Sequence, residues 1–354
     1  MILYKMYFST NILSVGASLL YLFITANAFN DTQCNQLQYF NFLREQPKKT
    51  FRLMQYNVEW LFTNVYNNCP GSGCTWANES EAYIHLSYVE NVIDELSPDL
   101  VNLCEVEGCD ELNLLNAQGI YTPYLIFGTD SSTGQNVGML TRVQPVDILA
   151  RTSDKVNYPV PGSNCGYVGT PGSEGVSKHY YTRILLGNTF VHVVGLHLLA
   201  YPDDITRCAE REAQAQVVQR LVVSIMADFP DDEVIVMGDI NDFDAEVADL
   251  NDNKPISMVV DILKGYAGEL AGQYELYTVA NLVDKKERYT DWWDRDTNCV
   301  ATTDEYSMID HILMTHRLYN AISNVTYYHG YKEYCGKYDT DHFPILVDFD
   351  VSLL

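Results

Sequence analysis

Val234-Ile235-Val236-Met237-Gly238-Asp239-Ile240-Asn241-Asp242 sets four apolar residues directly ahead of a carboxylate, an amide and a second carboxylate. A short unbroken apolar run fits a strand buried on both faces. Polar groups at its exit sit where strands hand over to loops, which often carry function. Asp and Asn also build turns, so the stretch reads equally well as a turn or as part of a site. Three more runs end in the same way: Val101-Asn102-Leu103-Cys104 before Glu105, Val191-His192-Val193-Val194-Gly195-Leu196 before His197, and Met308-Ile309 before Asp310-His311. A fifth cluster, Asp341-His342, lies just ahead of the apolar run Pro344-Ile345-Leu346-Val347. Carboxylates, an amide and imidazoles on separate strand ends are what a hard, oxygen-ligated cation and proton transfer require.

Each group has a plainer reading beside the chemical one. Glu105 ends a run that otherwise belongs in a core; it is either a surface glutamate or a metal ligand, since buried carboxylates are paired or metal-bound. His192 and His311 read as satisfied core or rim histidines. His342 differs, because Asp341 precedes it and Asp310 ends another strand. A carboxylate bonded to an imidazole fixes its tautomer and raises its basicity, as a general base needs. Asn57, at another strand exit, is a turn former or a ligand, and Arg183 is a phosphate clamp or an ordinary surface cation.

The rest of the chain is consistent with one domain over 51–354, after a polar lead-in at 29–50. Ile84, Tyr88, Val92 and Leu96 recur every four residues, with Val89 and Ile93 beside them, and predict a helix that Ser97-Pro98 stops. Further helices are predicted near 112–117, 206–227 and 256–264. Strands are predicted at 51–58, 124–127, 137–141, 146–149, 180–186, 189–197, 307–314, 321–328 and 344–350. The alternation of strand pairs with outer helices predicts an α/β sandwich of two packed sheets. No Gly-rich nucleotide loop, CxxC pair, HExxH or GxSxG occurs, which removes the nucleotide-cradling, zinc and serine-hydrolase classes.

The ends, cysteines and charge bear on setting. Lys5, the apolar stretch Ile12–Ala26 and the small-x-small Ala26-Asn27-Ala28 predict a removed signal peptide over 1–28. Acceptor triplets at Asn30, Asn78 and Asn324 agree with export to the outside or an endomembrane lumen. Nine cysteines are more than a cytosolic enzyme usually carries. Cys69–Cys74, Cys165–Cys208 and Cys299–Cys335 are candidate pairs, with Cys104 left as a buried free thiol. The formal charge of −25 and the lack of a dense basic face argue against tight binding of polyanions through phosphate contacts, while leaving transient cleavage open.

In order, Gln55-Tyr56-Asn57, Leu103-Cys104-Glu105-Val106, Gly195-Leu196-His197, Gly238-Asp239-Ile240-Asn241-Asp242, Ser307-Met308-Ile309-Asp310-His311 and Asp341-His342-Phe343-Pro344 resemble the endonuclease/exonuclease/phosphatase superfamily, the group with the deoxyribonuclease I fold. Gly134-Gln135-Asn136-Val137-Gly138-Met139-Leu140-Thr141-Arg142 is similar to a segment of its secreted nuclease-like members. The resemblance implies a four-layered α/β sandwich and Mg²⁺-dependent phosphoester hydrolysis, with Mn²⁺ or Ca²⁺ as alternatives. It implies Glu105 as the principal metal ligand with Asn57 and Asp341 close by, and His342 as the base held by Asp310. Asp239 and Asn241 would position the attacking water and the scissile phosphate. His197 would stabilise the phosphate or protonate the leaving oxygen. Asn136 and Arg183 are expected as phosphate contacts. Two departures stand out: Cys104 replaces the usual Gln, and the position that gives His197 a carboxylate partner holds Gln135 or Asn136. The expected activity is a secreted, monomeric endonuclease on DNA or RNA. A phospholipid or sphingomyelin phosphodiesterase and an inactive binding module on the same fold are the rivals.

Overall fold

The computed structural model of the chain describes residues 34, 49–65, 76–128, 132–331 and 338–354. The predicted leader, Asn30, the Cys69–Cys74 pair and Cys335 lie outside them. The elements run β1 (Thr50–Leu61), α1 (Glu79–Leu96), β2 (Leu100–Val106), α2 (Cys109–Leu115), β3 (Thr122–Leu125), β4 (Asn136–Thr141), β5 (Val156–Tyr158), β6 (Gly172–Glu174), β7 (Lys178–Leu186) and β8 (Thr189–His197). They continue with α3 (Cys208–Asp228), β9 (Glu233–Asp239), α4 (Val259–Lys264), β10 (Tyr277–Thr278), β11 (Asp291–Trp292), β12 (Tyr306–Ser307), β13 (Asp310–Met314), α5 (His316–Asn320), β14 (Ile322–Tyr327) and β15 (Ile345–Asp350).

Two mixed sheets carry the structure, one in the order β14-β15-β1-β2-β4-β3 and the other β10-β13-β9-β8-β7. Successive side chains of a strand point to opposite faces, and here both faces are covered. Leu53, Cys104, Val193 and Ile235 pack into the layer between the sheets. Their neighbours Met54 and Leu103 pack outward with Leu86, Val89, Ile93 and Leu112 of α1 and α2. On the other side Val194 and Val236 pack with Ala213, Val217 and Val222 of α3. The result is helix, sheet, sheet, helix: the expected four layers. Gly195 marks how closely the sheets approach, because a Cβ there would lie 2.1 Å from Asn102 Oδ1 of the facing sheet.

Several local expectations shift. The buried stripe of α1 is Ala82, His85, Leu86, Val89, Val92 and Ile93, so Tyr88 of the predicted stripe faces solvent. The segment 146–149 is not a strand; the chain meets β7 through a bridge at Ala150–Tyr181, the bond from Val146 N to Arg183 O and the Thr182 hydroxyl donating to Asp147 O. The irregular excursion at 151–178 includes the paired strands β5 and β6. Cys165 and Cys208 are bonded, and Cys104 is free and buried. Cys299 is disulfide-bonded. Cys34 bonds Cys109 across a separation of 75 residues, which spacing alone did not suggest.

His179 on β7 gives the core a pH dependence. Its Nε2 accepts the Thr152 N–H at 2.9 Å, and burial, then the Arg151 charge, lowers its pKa to about 3. Below pH 6.5 the unfolded chain binds a proton that the folded chain refuses, so this contribution is present above 6.5 and is lost as pH falls toward 3. His179→Gln can still accept the Thr152 N–H. The stability of the variant relative to wild type is expected to rise by up to about 1.4 kcal/mol per pH unit on acidification through that window. Urea melts at several pH values measure this; a pH-independent difference contradicts it.

Candidate active site

Two bulges and one aligned row of strand ends build the site. In β2 the register with β4 slips between Cys104 and Val106, and the residue at the slip is Glu105. Its φ of 67° is left-handed, a conformation that costs an ordinary residue about 1–3 kcal/mol and clusters at functional positions. β1 slips beside it between Asn57 and Leu61, where Glu59 and Trp60 also have positive φ. The paired bulges let Trp60 N donate to Glu105 Oε2 at 3.0 Å and Asn57 Nδ2 donate to Oε1 at 3.2 Å. Bulges commonly re-aim side chains next to sites in this way.

On the second sheet the register sets His197 beside Asp239 and Asp239 beside Asp310. Asp239 Oδ2 accepts from Asn57 Nδ2 at 3.0 Å and lies 3.5 Å from His197 Nε2; its Oδ1 accepts the Asn241 N–H. Asn241 has a φ of 53° and donates one amide N–H to Leu198 O. His342 arrives from the segment before β15, bridged to Asp291. His342 Nδ1 donates to Asp310 Oδ2 at 2.7 Å, and Asp310 Oδ1 is held by Gln55 Nε2 at 3.1 Å.

Gly238 permits this row. A Cβ on it would lie 1.8 Å from the Leu196 backbone carbonyl oxygen of the adjacent parallel strand, an obstacle that cannot rotate away. Gly238→Ala should therefore cost about 3 kcal/mol, the upper part of the range for overpacking, and displace Asp239. Calorimetry checks this, and an unchanged melting temperature contradicts it.

The centre is dense in negative charge. Burial and the nearby Asp310 push the Asp239 carboxyl up to about 8, partly offset by His342. Burial pushes Asp291 up to about 6, and burial with the neighbouring Glu59 holds Asp341 well above the carboxylate range. Burial opposes the charge on His342, yet Asp310, Asp341 and Asp239 hold its pKa well above the usual value. His197 goes the other way, well below, through burial and the Lys178 and His342 charges.

This excess of carboxylates fits a divalent cation. Glu105, His197 and Asp239 bring polar atoms within 4.8 Å of one another, and the carboxylates of Glu105 and Asp239 are the hard oxygen donors among them. Asp341 Oδ1, 3.9 Å from His342 Nε2, is buried with no hydrogen-bond partner, an uncompensated site for an anionic oxygen. Asn57 differs from the expectation in detail. Its amide nitrogen faces the carboxylates and its oxygen accepts the Glu59 N–H, so it orients the ligands rather than presenting an oxygen to them.

Of the expected site residues, Glu105, Asn57, His197, Asp239, Asn241, Asp310, Asp341 and His342 converge. Arg183 does not. It lies on β7 opposite His192, five residues back along β8 from His197, and pairs with Asp232 at 2.7 Å over the Phe190 and Phe229 rings. The Asn136 amide is engaged with backbone groups instead of facing the centre. Its Nδ2 holds the carbonyls of Val106, Glu107 and Gly134 and its Oδ1 the Gly128 N–H, which makes it a brace behind Glu105. The sequence reading missed Asp291, whose Oδ1 is 3.6 Å from His342 Nε2, because no apolar run precedes it. It missed Lys178 because that residue starts its strand instead of ending it. It missed the part of Asp242, which ion-pairs with the fully buried Arg211; that guanidinium in turn holds the carbonyls of Leu199, Tyr201 and Pro202 after His197.

Two packed mixed sheets with a carboxylate–imidazole centre at their shared end define the deoxyribonuclease I class of hydrolase fold. The sequence profile of the Endonuclease/Exonuclease/phosphatase family matches residues 54–330, and the chain belongs to that family. No curated protein matches it significantly by sequence. Among solved structures, TDP2 from Caenorhabditis elegans aligns with a TM-score of 0.53 and 16% identity, over 87% of this chain and 77% of that one. TDP2 from Danio rerio, solved with a single-strand DNA product, aligns with a TM-score of 0.51 and 18% identity, over 85% and 99%. A functionally unknown protein from Enterococcus faecalis gives 0.50 and 16%, over 84% and 98%. Likeness at these identities shows the fold.

Proposed function

We propose that the chain is a secreted, Mg²⁺-dependent phosphodiester hydrolase that cuts nucleic acid internally. The observation that carries this reading is the meeting of Glu105, Asp239, Asn241, Asp310 and His342, drawn from four separate segments, around one buried acidic centre. Glu105, with Asp341 nearby, would hold the cation, which supplies charge stabilisation as the negative charge on the phosphate oxygens grows. Asp239 Oδ2 and His342 Nε2 stand 4.0 Å apart with Asn57 Nδ2 within reach of both. The attacking water would lie against this pair and pass its proton to it as the bond from phosphorus to the leaving oxygen breaks, that oxygen taking a proton from solvent. Asp310 keeps the Nδ1 proton of His342 and leaves Nε2 as the exchanging atom. Asn241 keeps its second amide N–H for a phosphate oxygen.

Nucleic acid is favoured over lipid by an aromatic edge beside the centre. Trp293, two residues beyond Asp291, and Tyr201, four beyond His197, are more than half exposed and meet edge to face at 6.2 Å, with Arg207 over Tyr201. Bases stack on such rings at about 1–3 kcal/mol each, which lets an acidic protein hold a strand without a basic face. The single-strand DNA product bound by the Danio rerio relative supports the same class. Export is supported by the N-terminal sequence pattern, the disulfides and the exposed acceptors Asn78 and Asn324.

The test is one preparation assayed with Mg²⁺ or EDTA against plasmid DNA, RNA and sphingomyelin vesicles. Nicking of nucleic acid that EDTA abolishes is expected. Cleavage of lipid alone overturns the nuclease assignment, and inertness toward all three overturns the hydrolase reading. Protein recovered from the culture medium should begin at residue 29.

A further inference from the structure

The two imidazoles of the centre have opposite supports. His342 Nδ1 faces the Asp310 carboxylate. His197 Nδ1 faces an ammonium: Lys178 stands opposite it in the β7–β8 register, with Nζ 3.1 Å away. That nitrogen also donates to Gln135 Oε1 at 3.2 Å, at one of the positions where the family resemblance leads one to expect a carboxylate partner for the histidine. An ammonium donates and never accepts, so the contact requires a lone pair on His197 Nδ1 and places the ring proton on Nε2. Nε2 in turn faces Asp239 Oδ2 at 3.5 Å and Glu105 Oε1 at 4.0 Å, into the space where a phosphate oxygen would lie.

We propose that Lys178 is a positioning residue that fixes His197 as its Nε2–H tautomer, so that this imidazole serves the reaction as a hydrogen-bond donor to the phosphate and not as the acid for the leaving oxygen. This deepens the hydrolase reading and rests on it for the part played in turnover. The tautomer itself is independent of that reading. Burial lowers the Lys178 pKa from the usual lysine value, and the nearby Glu105 and Asp239 offset part of that by favouring its charge. The pairing divides the labour between the rings: a carboxylate-backed imidazole exchanges a proton, and an ammonium-backed one holds its proton in place. Loss of one preorganised donor to a developing oxyanion typically lowers turnover about 10²–10³-fold.

The experiment is long-range ¹H–¹⁵N correlation of ¹⁵N-histidine-labelled protein without added metal, with the His197 signals assigned by His197→Gln. A bare Nδ1 and a protonated Nε2 are expected in the wild type; a proton on Nδ1 there overturns the proposal without any variant being needed. Lys178→Gln keeps an N–H donor and should keep the tautomer, whereas Lys178→Met should lose the preference and lower kcat about 10²-fold with KM little changed. An unchanged tautomer in Lys178→Met also overturns it. If the tautomer responds as expected but the wild type hydrolyses no phosphodiester, the hydrolase reading fails and the lysine–histidine assignment stands.

Discussion

His342→Ala is expected to lower turnover by about 10²–10⁴-fold while the protein stays folded, the usual worth of a positioned proton-transfer group. The ring touches Asp310 at 2.7 Å and faces Asp239, Asp291 and Asp341 within 4.0 Å, so it is the point where the acidic groups of both sheets meet. Its removal leaves Asp310 buried but still bonded to Gln55 Nε2 and, through its backbone N–H, to Thr290 Oγ1. The stability loss should therefore stay near 1–3 kcal/mol, the cost of one unsatisfied charged acceptor. Asp310→Asn provides the matched test. It keeps the shape, removes the charge that holds the Nδ1 proton, and should lose activity on the same scale. Steady-state kinetics with near-UV circular dichroism as a folding control decide the matter. Retention of more than about a tenth of wild-type turnover in His342→Ala would place the chemistry elsewhere.

Glu105→Gln should abolish metal-stimulated turnover, by about 10³-fold or more, since cation charge stabilisation is worth several kcal/mol and each 1.36 kcal/mol is tenfold. The amide is isosteric; its single oxygen can keep the Trp60 N–H, and Asn57 Nδ2, which loses its contact to Oε1, still donates to Asp239, so folding should survive. The charge goes, and with it the strongest hard-oxygen ligand. A metal titration followed by calorimetry gives a second readout: binding seen in the wild type should weaken sharply in the variant. Unaltered binding together with full activity would show that the ion sits on other carboxylates.

How much of this was legible along the chain depends on the kind of signal. The sheets were, because β9 carries an unbroken apolar run and β8 one interrupted only by His192, as doubly covered strands require. The long helices were, although Tyr88 of α1 faces solvent because packing selected the stripe through Ala82, His85, Leu86 and Val89 instead. The converging residues shared one mark, a carboxylate, amide or imidazole directly beside an apolar run. Arg183 and Asn136 failed for a reason of direction. Arg183 faces Asp232 at the far end of its sheet, and Asn136 turns back onto its own loops. Asp291 and Lys178 stayed hidden because β11 is two residues long and β7 meets the site at its start.

The order of residues by itself determined the family, the layer architecture and the inventory of acidic and imidazole groups, because apolar runs and their polar exits are local properties. Only the tertiary structure decided which way those groups point. The left-handed turn at Glu105, the slip in β1 and the alignment of His197, Asp239 and Asp310 each depend on pairing with strands distant along the chain. The choice of an ammonium for His197 and a carboxylate for His342 arises in the same way, from cross-strand neighbours that no short stretch of sequence contains.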